Sequence, residues 1–153
     1  MASSITLYDT AVERCLNAKN LLLPSGTFKI TLHTSTYTFS AAHAAYADLT
    51  NELSTGFGYT NTGGTLTTPV ITLTTTNDAK FDADDYVWTA AGGSIPAWRS
   101  AVIRRVGTID SVVDPLIAYI VGNTTGPTDI PATTDTNTLT VAFAAGGIIT
   151  FTY

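Results

Sequence analysis

The chain has 153 residues, 44% of them hydrophobic and only 12% charged, with a formal net charge of −5. That length favours one domain, large enough to bury a core without disulfides or metals to hold it together. Seven Lys and Arg residues in all are too few for a phosphate-binding face, and no apolar run approaches the roughly 20 residues of a membrane span, so neither nucleic acid nor membrane is expected as a partner.

Met1-Ala-Ser-Ser lacks the basic and apolar regions of a signal peptide, which predicts a soluble protein made in a cytoplasm. Thr10-Ala-Val-Glu13 has the spacing of a capping box, and Ala11, Val12, Cys15 and Leu16 share one face. One short helix is therefore expected over about residues 10–20, ended by Pro24-Ser-Gly26. Cys15 is the sole cysteine, so no intrachain disulfide can form, and its place on the apolar face predicts a buried small hydrophobe.

Residues 27–33 alternate strictly, with Phe28, Ile30 and Leu32 on one face and Thr27, Lys29, Thr31 and His33 on the other. A half-buried strand with a solvated His33 follows from that pattern. The alanine-rich 40–49 stretch suggests a helical turn. Residues 65–76 read as a strand that Pro69 places at an edge or bulge, and Asn77-Asp78 as the turn after it. Further strands are expected at 79–83, 86–89 and 98–106, the last carrying Arg99, Arg104 and Arg105 on a solvated face. Residues 115–121 read as a strand buried on both faces, and 122–135 as a Thr-Pro loop. Gly146-Gly147 reads as a hairpin turn between the final strands at 138–144 and 148–153.

Thirty threonines take the place of the missing charge, and threonine suits the polar face of a strand. Seven or eight short strands at near-regular spacing predict a mainly β fold. The expected architecture is an antiparallel β-sandwich or jelly-roll-like barrel with one short N-terminal helix. No linker or internal repeat divides residues 1–153, so a single domain is expected, with residues 1–26 as an N-terminal segment available for assembly contacts.

The chemistry-bearing constellations are sparse. The acidic stretch Asp78…Asp82-Ala-Asp84-Asp85 suits turn formation, with a cation site as the alternative, although it lacks the Gly and Glu positions of an EF-hand loop. No Gly-x-Ser-x-Gly elbow, phosphate loop or zinc spacing is present. No catalytic residue, cofactor or metal is therefore assigned, and an enzyme is not expected.

Ordered stretches along most of the chain carry a resemblance: Tyr46-Ala-Asp-Leu-Thr-Asn-Glu-Leu53, Gly56-Phe-Gly-Tyr-Thr60 with Gly63-Gly64, Phe81-Asp-Ala-Asp-Asp-Tyr-Val-Trp88, Ala97-Trp-Arg-Ser-Ala-Val-Ile103, Pro115-Leu-Ile-Ala-Tyr-Ile120 and Ile148-Ile-Thr-Phe151. Together they resemble a family of small tailed-bacteriophage virion structural proteins. The chain departs from that family in its longer segment before Phe28 and in the 122–135 loop. The resemblance implies a virion protein, with head decoration or cement as the favoured role and a tail, neck or fibre component as the alternative. Its expected partners are the major capsid protein or other virion proteins, met as a homo-oligomer. Leu21, Leu22, Leu23, Phe57 and Tyr59 are the candidate interface residues, although the leucine run could equally pack in the core. A different class, a host-glycan module, would use exposed aromatics such as Phe57, Tyr59 or Trp98.

Overall fold

A computed structural model describes residues 4–17, 19–75, 78–122 and 128–152. The fold is mainly β, a sandwich-like arrangement of antiparallel sheets with one short helix. In chain order the elements are β1 (Ser4–Leu7), α1 (Asp9–Leu16), β2 (Phe28–His33), β3 (Gly64–Thr65), β4 (Val70–Thr75), β5 (Asp78–Asp82), β6 (Tyr86–Thr89), β7 (Ser100–Arg105), β8 (Thr108–Ile109), β9 (Val112–Val113), β10 (Leu116–Val121), β11 (Thr138–Val141) and β12 (Ile149–Thr152).

The main sheet has the order β1-β10-β7-β2-β3, with every neighbour antiparallel. Strands β7 and β10 sit inside it, as their length and apolar content predict. Phe28, Ile30 and Leu32 project from one face of β2 toward the smaller sheets, where Phe28 packs on Phe81 of β5 with ring centroids 4.9 Å apart. Both rings are fully buried, and removal of each from water contributes roughly 1.5–3 kcal/mol. The smaller sheets are β12-β5-β4 and β11-β6, while β8 and β9 form a separate hairpin. The buried apolar residues belong to one continuous core cluster.

The second face of the main sheet is where alternation misleads. His33 and Arg104, both expected on solvated faces, are 0% and 3% exposed. The segment following β2 folds back over this face. Tyr37 lies with its ring centroid 5.1 Å from that of His33, Phe39 stacks on Tyr119 at 4.5 Å, and Tyr46 sits 4.0 Å beneath the Arg104 guanidinium. Strand β2 is thus buried on both sides. Arg99 and Arg105 remain partly accessible.

Several boundaries also differ from the sequence reading. Helix α1 starts at Asp9 with Tyr8 at the N-cap position and no side-chain cap, so Thr10 lies inside the first turn, and it ends at Leu16, short of the expected end near residue 20. Burial of the Tyr8 ring and its backbone donation to the Ile117 carbonyl at 3.3 Å set that start. The 65–76 strand divides: β3 joins the main sheet and β4 the small one, with the break at Thr67–Pro69. There Asp84 Oδ2 accepts the Thr67 and Thr68 hydroxyls at 3.1 and 2.6 Å. The Gly146-Gly147 turn forms, with Gly147 N–H donating to the Ala144 carbonyl at 2.7 Å. It joins strands in different sheets, because β11 pairs with β6 and β12 with β5, so it is a corner and not a hairpin. The 40–49 stretch contributes a single 3-10 turn at Tyr46–Asp48, held by Asp48 Oδ2 accepting the Ala44 and Ala45 N–H groups at 2.8 and 2.9 Å. Asn77 lies outside the described residues, and Asp78 opens β5.

Candidate assembly surface

The leucine run divides between core and surface. Leu21 and Leu22 are buried, whereas Leu23 is 45% exposed. The turn that separates them is fastened by Arg105, whose Nη1 donates to the Asn20 and Leu21 carbonyls at 2.9 and 3.0 Å. The same guanidinium lies 5.3 Å from the Phe28 ring centroid. A strand arginine thereby positions a loop some eighty residues upstream, an arrangement with no local signature.

An apolar groove of about 370 Å³ opens beside this turn, lined by Cys15, Asn20, Leu21, Leu22, Leu23, Ile71 and Phe151. Cys15 is half-buried in its wall, and burial pushes its thiol up to about 11. The thiol thus stays protonated near neutrality and is a weak nucleophile. Above the groove, β4 forms one edge of its sheet. Its Ile71 pairs with Phe81 and its Leu73 with Ala79, which in turn faces Phe151. Directly opposed residues share a face, so Ile71, Leu73 and Phe151 all lie on the groove side. Val70, Ile71 and Leu73 are 36%, 48% and 74% exposed. Large apolar side chains on a sheet edge are what a partner strand would cover.

The remaining predicted aromatics lie elsewhere. Phe57 is 49% exposed, in a tight turn where Gly56 and Tyr59 exchange backbone hydrogen bonds at 2.9 and 3.0 Å. Tyr59 and Trp98 are buried, so neither offers its ring to a glycan. Tyr59 instead belongs to a polar network that local patterning did not reveal. Its hydroxyl donates to Glu52 Oε1 at 2.7 Å and accepts from the Leu32 N–H at 3.1 Å. Glu52 also accepts the Thr62 N–H at 2.7 Å and the Tyr46 hydroxyl. Arg104, over the Tyr46 ring, pairs with Asp114 at 2.5 Å and donates to the Thr62 carbonyl at 3.1 Å. Burial, followed by the hydrogen bond to Glu52, pushes the Tyr46 phenol up to about 12. Burial raises Tyr59 as well, so both hydroxyls remain donors. Three donors occupy the Glu52 carboxylate, which makes it a fastener between loops.

The acidic stretch is similarly engaged. Asp82 pairs with Lys80 at 2.9 Å, Asp84 ties the Thr67–Thr68 break, and Asp85 accepts the Phe143 N–H at 2.8 Å. Among the described residues, no group of three or more His, Cys, Asp or Glu side chains is arranged to hold a metal ion.

Comparison of the chain with protein-family models, with curated proteins and with solved structures finds no match.

Proposed function

We propose that this chain is a structural component of a tailed-bacteriophage particle, seated on the head as a decoration or cement protein and acting through protein–protein contacts. The observation that carries this reading is the bare apolar edge of β4 above the Leu23 groove. Such a surface gains free energy when a protein partner removes it from water. The ordered resemblance to virion proteins supplies the context. Charged residues make up only 12% of the chain, consistent with packing among neighbours in an assembly, where self-repulsion would be a cost. The glycan-binding alternative loses two of its three aromatics to the core.

The test uses purified chain and phage heads assembled without it. Saturable binding to heads, with a fixed copy number per lattice point, is the expected result. Binding only to tails or necks would move the protein to that part of the particle. Binding to neither would overturn the virion reading.

A further inference from the structure

We propose that β4 pairs with β4 of a second copy of this chain about a two-fold axis, setting Thr72 opposite Thr72 and each Ile71 opposite Leu73 of the other copy. The inference rests on the assembly reading above and gives the exposed edge its partner.

Charge is the first argument for a second copy. Between Glu52 and Asp78 the sequence has no charged residue, so β4 and the chain leading into it are neutral in a protein of net charge −5. Two copies therefore meet at β4 without like charges facing each other, a contact that an acidic surface would oppose. Edge strands of monomers are commonly guarded by lysine, an inward-pointing charge, proline or a bulge. Strand β4 carries no charge, and Pro69 and the register shift between Leu73 and Thr75 lie at its two ends, leaving the Ile71–Leu73 stretch between them.

Register is the second. An antiparallel pair centred on Thr72 places Ile71 and Leu73 of opposite copies side by side on the groove face, twice by symmetry. A shift of one residue would set Ile71 against a threonine and forfeit both apolar pairs. Ile71 lines the groove, so this register brings Leu73 of the second copy, 74% exposed in the single chain, to the groove mouth. The two three-stranded sheets then join as one six-stranded sheet in the order β12-β5-β4-β4-β5-β12.

Area sets the strength. A six-residue strand pair spans only about 20 Å, and with the groove it falls short of the roughly 800 Å² per partner of a standard interface. Association is therefore weak in dilute solution. It becomes populated where neighbouring copies are held at about millimolar effective concentration, as on a lattice.

The test places cysteines in a Cys15→Ser background. Thr72→Cys is self-opposed in the proposed register, within disulfide reach. Val70→Cys is not, because two such residues would lie roughly 14 Å apart along the strands, beyond the ~7 Å limit on Cα separation. Under mild oxidation, T72C is expected to form covalent dimer on the order of tenfold faster than V70C, both in concentrated solution and on particles. Leu73→Lys should abolish concentration-dependent association in sedimentation velocity while leaving the melting temperature unchanged. Equal, slow cross-linking of both cysteine variants would overturn the proposal. If L73K blocked uptake on heads but T72C did not cross-link there, another virion protein would occupy β4, and only the second-copy inference would fail. Selective T72C cross-linking by a chain that ignores particles would keep the pairing and overturn the virion reading instead.

Discussion

The His33 imidazole donates from Nδ1 to the Thr50 carbonyl at 2.8 Å, and its Nε2 lies 2.9 Å from the Thr31 hydroxyl, itself 3.3 Å from the Val102 carbonyl. Burial lowers the affinity of this ring for a proton below that of a free histidine. The unfolded chain then binds the proton more readily than the folded one. Stability should therefore fall as pH drops below about 6.5, the unfolded value, through the window down to the depressed folded value. Thermal melts between pH 7.5 and 5 should show this loss, before most carboxylates titrate. Asparagine at this position keeps an N–H for Thr50 but cannot titrate. His33→Asn should therefore be less stable at pH 7.5 and show a flatter dependence on pH. An unchanged slope in the variant would remove His33 as the cause.

At the level of elements, the breaks between strands depend on close backbone packing as much as on turn chemistry. Gly63 has φ 77°, and a Cβ there would lie 2.2 Å from the Ile30 carbonyl oxygen. The β2–β3 pairing depends on that approach. Gly107 also has a positive φ, 106°, but a Cβ there meets open space. Gly63→Ala should therefore cost more than about 3 kcal/mol, combining strain with a backbone clash, and Gly107→Ala about 1–2 kcal/mol from strain alone. Chemical denaturation of the two variants measures the difference. Equal losses would mean that backbone conformation, and not the close approach to Ile30, sets the cost at Gly63. The corner at Gly146-Gly147 follows a related logic: dipeptide composition marks a change of direction, while the sheet receiving the next strand depends on partners elsewhere.

For the whole molecule, the Phe28–Phe81 contact joins the main sheet to the three-stranded sheet that carries β4. Because the buried apolar residues form one cluster, the layers should unfold together. Far-UV circular dichroism and the fluorescence of Trp88 and Trp98 should give coincident transitions. Phe81→Ala should destabilise by about 3–5 kcal/mol and shift both probes equally. Separate transitions would show that the small sheets unfold independently, leaving the β4 edge on a semi-autonomous layer.

Composition and alternation by themselves determined the mainly β class, the short N-terminal helix, the apolar face of β2 and the interior positions of β7 and β10. These are readable because side-chain period and turn residues are local properties of the chain. Tertiary structure alone decided that His33 and Arg104 are buried, since the covering aromatics Tyr37, Phe39 and Tyr46 belong to another segment. It also decided that Leu21 and Leu22 enter the core while Leu23 borders a groove, a division that depends on Arg105 far along the sequence. The candidate surface was legible only in part, at Leu23 and the edge expectation raised by Pro69. The apolar side chains of β4 became a surface only when β5 took one edge of the strand and left the other open, a consequence of non-local pairing that periodicity does not encode.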